Sequence, residues 1–135
     1  MANNVKLSPA EKTALATKLN TDIGINATVN IYGGTQPTDP SVAAGSSALV
    51  TWAMNATAFG TVSGATLTAT TPATASPNAA VSGTAVWGRV ATSGGVGIID
   101  FTEGATGADM NLSTGTTITA GSPVLFSAFS YTFAN

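Results

Sequence analysis

Thr84-Ala85-Val86-Trp87-Gly88-Arg89-Val90-Ala91-Thr92-Ser93-Gly94-Gly95-Val96-Gly97-Ile98-Ile99-Asp100-Phe101 is the stretch that decides the fold. Two runs rich in Val, Ile and aromatic residues flank Gly94-Gly95, and a two-residue glycine turn matches the right-handed twist of paired strands. With a tight turn, Ser93 pairs with Val96, and counting back places Arg89 opposite Asp100. Opposite charges facing each other across a strand pair stabilise it, so Arg89 and Asp100 are expected to form a structural pair. Trp87 lies two residues before Arg89 and shares its face, which puts a guanidinium within reach of an indole.

Outward from this hairpin the chain keeps a period of two. Towards the N-terminus, Ala65, Leu67 and Ala69 alternate with Thr66, Thr68 and Thr70. Before them Ala48, Val50, Trp52 and Met54 form one apolar row, and Ile25, Ala27, Val29 and Ile31 another. Towards the C-terminus, Glu103 to Ala108 reads as a glycine-rich loop, followed by short strands at Met110–Leu112 and around Ile118. The last strand is expected over Pro123 to Phe133. Leu125, Phe129, Tyr131 and Phe133 share one of its faces, Val124, Phe126 and Ala128 the other, which predicts burial on both sides or cover by a neighbouring subunit. Only the start is helical. Ser8-Pro9-Ala10-Glu11 is a capping box, and Pro9 to about Thr21 follows it with a thin stripe, Leu15 and Leu19, suited to lying on a surface. The pattern predicts an all-β protein: an N-terminal arm and short helix over residues 1–24, then a single β-sandwich or jelly-roll domain over 25–135.

Composition narrows the function. The chain has 135 residues, a size at which roughly 68% of the unfolded surface is buried in one domain. It has no His and no Cys, a net charge of −2, and no charged side chain from Pro40 to Gly88. General acid–base and nucleophilic catalysis rely on groups that titrate or are activated near neutral pH, so an enzyme is not expected, nor a bound cofactor. Four basic residues do not make the phosphate-neutralising patch of a nucleic-acid binder. No run is long and apolar enough for a membrane helix, and the start lacks the apolar core of a signal peptide, so synthesis in the cytoplasm without export is expected. The 23 Thr and 12 Ser, counted along the sequence, keep the surface polar without charge.

Asp100, Glu103 and Asp109 are the one cluster of carboxylates. Oxygen donors in and beside a glycine-rich loop suit Ca²⁺, but their spacing fits no calcium loop, and Asp100 already has Arg89 as a partner. Solvated loop carboxylates are therefore expected, and no metal site. The same residues make a poor glycosidase pair, because no aromatic cleft surrounds them. Gly33-Gly34 and Gly94-Gly95 are read as turns, not phosphate loops. Asn26-Ala27-Thr28, Asn55-Ala56-Thr57 and Asn111-Leu112-Ser113 fit the glycosylation pattern by accident of composition.

One ordered set of motifs remains: Ile31-Tyr32-Gly33-Gly34-Thr35-Gln36-Pro37, then Leu49-Val50, Ala58-Phe59-Gly60 and Leu67-Thr68-Ala69. Gly83 to Val90, Gly107-Ala108-Asp109-Met110-Asn111-Leu112 and Phe129-Ser130-Tyr131-Thr132 follow. In that order they resemble a family of small structural proteins of tailed-bacteriophage virions, over about residues 29 to 133. The resemblance implies a virion component without a catalytic signature, most simply a capsid decoration (cement) protein on the outer head surface. Its partners would be the major capsid protein or other virion proteins, and analogy favours a homo-oligomer such as a trimer. The Lys-containing helix lies outside the family pattern and suits a docking element. Leu15 and Leu19, with Leu125, Phe129, Tyr131 and Phe133, are the expected interface residues. A tail, neck or fibre component is the alternative on the same grounds. A carbohydrate-binding adhesin is a third reading, which an exposed Trp52 or Trp87 beside a carboxylate would favour.

Overall fold

The computed structural model describes residues 5–60, 62–72, 74–104, 106–112, 115–127 and 129–133. The start of the expected arm, Met1 to Asn4, lies outside them, as do Thr61, Ser113 of the third glycosylation pattern, and Ala128 of the expected C-terminal strand.

Helix α1 spans Pro9–Ile23. Ser8 is extended, at φ −64° and ψ 155°, and its Oγ accepts from the Glu11 amide at 3.2 Å, while Pro9 occupies the first turn where no N–H is needed. Gly24, at φ +73°, ends the helix, and its N–H donates to the Asn20 carbonyl. The helix thus runs past Thr21, and its buried stripe is Ala16, Leu19 and Ile23, one position round from the expected Leu15–Leu19 line. Ala16 and Ile23 are fully buried, so α1 contributes to the core where a purely superficial helix was expected. Replacing Ser8 with Ala is expected to lower stability by about 1 kcal/mol, measured by urea denaturation, through loss of the Glu11 amide's partner.

The rest of the described chain is mostly β. The strands are β1 (Thr28–Tyr32), β2 (Val50–Ala53), β3 (Thr66–Thr68), β4 (Gly83–Thr84), β5 (Trp87–Ala91), β6 (Gly97–Gly104), β7 (Met110–Asn111), β8 (Thr117–Ile118) and β9 (Ser130–Thr132). Five form one sheet in the order β2-β1-β5-β6-β7, antiparallel except for the β6–β7 pair. β3 pairs with β9 and β4 with β8 in two small ribbons. Ala27, Val29 and Ile31 are buried, but Ile25 is 66% exposed because the chain turns at Ile25-Asn26 before β1 begins. The expected strand from Thr84 to Ser93 is split: Ala85 donates to Thr116 beside β8, Val86 donates to Tyr32, and β5 starts at Trp87.

The hairpin turn also differs from expectation. Gly95 donates to the Thr92 carbonyl and sits at φ +85°, and Thr92 donates to the Val96 carbonyl. This is a three-residue loop, Ser93-Gly94-Gly95, whose last position needs the left-handed conformation that glycine adopts readily. It shifts the register by one, so Ala91 faces Gly97, and an irregularity between Val90 and Ala91 restores the count, so that Val90 faces Ile99 and Arg89 faces Asp100. Ile98 is the extra residue.

All five residues of β5 are buried, because both faces of the sheet are covered there. On one face Val29, Ile31, Val50, Trp52, Val90 and Phe101 belong to the main core. Aromatic contacts close it: Trp52 meets Phe126 edge-on at 5.4 Å, Phe101 stacks on Phe129 at 4.9 Å, and Phe59 meets Phe129 edge-on at 5.7 Å. The C-terminal segment supplies Val124, Phe126 and Phe129 to this core; among its described residues Ser130–Thr132 pairs as a strand, and Pro123 makes an isolated bridge to Asn78. Gly88 is required beneath it, since a Cβ there would overlap the Phe101 ring. The other face carries Tyr32, Trp87, Arg89 and Asp100, covered by the loop that joins β1 to β2.

Candidate functional site

Arg89 is the hub of the covered outer face. Cross-strand register sets it between Asn30 on β1 and Asp100 on β6. Its Nε donates to Asp100 Oδ1 at 2.6 Å and its Nη2 to Oδ2 at 2.7 Å, a bidentate pair whose side chains are 8% and 4% exposed. Nη1 donates to the Val42 carbonyl at 2.7 Å, and Nη2 approaches the Asp39 carbonyl at 3.5 Å. The guanidinium lies 5.3 Å from the Trp87 ring centre, and Trp87 stacks on Tyr32 at 4.4 Å with 18° between the planes. The hydrogen bonds to Asp100 push the Arg89 pKa further up, and burial raises that of the Tyr32 phenol. The close fit extends to Gly97, where a Cβ would run into the Pro40 carbonyl oxygen. Each guanidinium edge is therefore used inside the protein. The cluster ties the Asp39–Val42 segment to the sheet and presents no charge to a partner.

The three carboxylates do not converge. Asp100 is held by Arg89, and Asp109 Oδ2 accepts from the Thr102 amide and hydroxyl, both at 2.8 Å. Glu103 is the correction: it belongs to β6, not to a solvated loop, and is 7% exposed. It shares the face of Phe101, and burial raises its pKa to about 7. Among the described residues no three His, Cys, Asp or Glu side chains come together as a metal site.

The expected interface residues divide. Leu15, Leu125 and Tyr131 are exposed at 41%, 45% and 39%, whereas Phe129 is buried and Leu19 and Phe133 pack against the core. Tyr131 pairs with Leu67, and the Phe129 carbonyl accepts from Ala69, so these two stay on one side of the β3–β9 ribbon and differ in depth, with Phe129 buried and Tyr131 near the rim. Val124, Phe126 and Phe129 are the buried members of the C-terminal segment, so its expected split into odd and even faces does not hold along its length. Trp52 and Trp87 are fully buried.

Sequence reading missed a surface groove of about 600 Å³. Gly33, Ser47, Leu49, Val81, Gly83 and Val86 are among the residues that line it. Its signal was the pair of glycine positions, Gly33 and Gly83: a Cβ at Gly33 would lie 2.9 Å from the Thr84 carbonyl oxygen, and one at Gly83 2.9 Å from Leu49. Both glycines let the β1 end, β4 and Leu49 approach closely, and the groove they floor carries no charged side chain.

Compared with known proteins, the sequence matches no family model, no curated protein and no solved structure. No helix among the described residues is long and apolar enough to cross a membrane.

Proposed function

We propose that the protein is a structural component of a bacteriophage virion, a capsid decoration (cement) protein that docks on the outer head surface and bridges neighbouring capsid subunits. The observation that carries this reading is the uncharged exposed surface. Across Pro40 to Gly88 the exposed side chains include Val42, Val81 and Val86, at 44%, 39% and 44%, set among Thr and Ser. Such a surface desolvates at small expense when it is buried against a partner, whereas burying unpaired charge is costly. The ordered strand-and-turn motifs that resemble small virion proteins support the same reading. The proposed architecture is a two-layer sandwich, with the five-stranded sheet facing the β3–β9 pair across Phe101 and Phe129. The proposed partners are the major capsid protein and further copies of this chain, most simply as a trimer.

The test is to mix the purified protein with expanded, undecorated capsids and image the particles by cryo-electron microscopy. Ordered density repeating over the shell is expected. Bare shells would overturn the decoration role and direct the search to tail, neck or fibre positions. The docking residues are proposed to be the exposed members of the expected set, Leu15, Leu125 and Tyr131. Leu15→Glu with Tyr131→Glu is therefore expected to leave the melting temperature nearly unchanged and to lower capsid occupancy by at least about tenfold, a factor worth 1.4 kcal/mol. Deleting residues 1–21 is a poorer probe, because it removes Ala16 from the core. The adhesin reading loses the feature that favoured it, since neither tryptophan is exposed.

A further inference from the structure

Glu103 occupies the neck of the segment that joins β6 to β7. It faces Met110 in the parallel β6–β7 register, its own N–H donates to the Val86 carbonyl, and the Leu112 N–H donates to the Gly104 carbonyl at 3.0 Å. One carboxylate oxygen, Oε1, accepts from the Gly104 amide at 3.2 Å. The other, Oε2, is fully buried and finds no hydrogen-bond partner among the described residues. A buried carboxylate half satisfied in this way is tolerable when neutral and costly when charged.

We propose that Glu103 is a protonation-controlled pin: neutral, it lets the β6–β7 crossing close, and ionised, it draws water to Oε2 and opens that crossing. Among the described residues no charged group compensates for the ionised form. β5 presents Gly88 and Val90 on this face of the sheet and β7 presents Met110, with Val86 and Leu112 alongside, and none of these titrates. Arg89 and Asp100 lie on the opposite face, and the Asp109 carboxylate is bound to Thr102 there. Consistent with this, the causes of the raised pKa are burial, opposed by the Gly104 and Leu112 amides, and no charged side chain enters.

The pin has a direction and a pH window. An acid whose folded pKa lies near 7, against 4.5 in the unfolded chain, stabilises the closed form fully below about pH 4.5 and loses that contribution as pH rises to about 7. The Thr102–Asp109 bonds do not depend on Glu103, so the segment stays tethered at one side while its pairing with β6 is released. The expected motion is therefore local, at Gly104 and Met110–Leu112.

Amide hydrogen exchange on the full chain between pH 5 and pH 8 tests this. After correction for the intrinsic pH dependence of exchange, the protection of the Leu112 amide is expected to fall at least about tenfold relative to the Val90 amide in β5. In Glu103→Gln, which is neutral at every pH, the ratio is expected to stay constant. An unchanged ratio in the wild-type protein, or the same fall in Glu103→Gln, overturns the proposal. If Glu103→Gln does not fold, the side-chain carboxyl carbon of Glu103 in the wild-type protein, followed by NMR, decides. A midpoint near 7 that coincides with the loss of Leu112 protection supports the pin, and a midpoint near the usual 4.5 overturns it.

Discussion

Arg89→Ala is expected to lower the folding free energy by about 3–5 kcal/mol, the range for removing one partner of a buried ion pair and leaving the other uncompensated. Asp100 would keep a charge at a site where its side chain is 4% exposed, without the two N–H donors it now has. The Val42 carbonyl would lose its partner as well, so the Asp39–Val42 segment would come away from the sheet. Urea denaturation measures the first effect, and faster proteolysis within residues 38–43 reports the second. Arg89→Lys is expected to fall between the wild type and Arg89→Ala. An ammonium carries the charge but lacks the planar fork that binds both Asp100 oxygens and the Val42 carbonyl together. Arg89→Met with Asp100→Leu should recover much of the loss, because replacing both buried charges by apolar groups removes the desolvation problem. A loss below about 1 kcal/mol for Arg89→Ala would place this pair with weak surface ion pairs and refute its role as the anchor of the loop.

Sequence reading reaches this pair by a different path from the one the chain takes. Counting across Gly94-Gly95 as a two-residue turn sets Arg89 against Asp100, but the turn holds three residues and Ile98 is bulged. The two one-residue shifts are opposite in sign and cancel before Val90. Alternation carries information only where one face is buried, which is why Val29 and Ile31 or Val50 and Trp52 are legible and Ile25 is not. The same period of two held a signal for Glu103, which continues the Ile99–Phe101 face, but the glycines at 104 and 107 drew the reading towards a loop. The cover over the outer face had no signal. The loop from Gly33 to Ser47 has no periodicity, and the long-range bonds from Arg89 to Val42 and Asp39 fix where it lies. The exposed interface candidates were legible as apolar residues, but not which of them face solvent, because Phe129 and Tyr131 differ in how deeply they sit under the rest of the fold, which alternation does not encode.

Trp87→Ala is expected to have an effect of similar size, about 3–5 kcal/mol, the range for truncating a fully buried large aromatic side chain. Trp87 fills the space between the Tyr32 ring, stacked at 4.4 Å, and the Arg89 guanidinium at 5.3 Å, so its removal exposes both to water or leaves a void. Trp87→Phe distinguishes packing from polarity. The indole Nε1 is buried and has no partner among the described residues, so the wild-type protein already bears the desolvation of that donor. Phenylalanine loses part of the ring volume but also removes the unpaired N–H, and its expected cost is only about 1 kcal/mol by those opposing terms. Because Trp87 shields the guanidinium from solvent, its removal also weakens the dependence of stability on Arg89. Water would then reach Asp100 and reduce the penalty of leaving it unpaired. The double mutant Trp87→Ala with Arg89→Ala should therefore lose less than the sum of the single losses, by about 1 kcal/mol or more, within the range of coupling for residues in contact. A sum that is additive to within about 0.3 kcal/mol would mean that the ring packs beside the ion pair without protecting it, and that the loop alone keeps Arg89 and Asp100 dry.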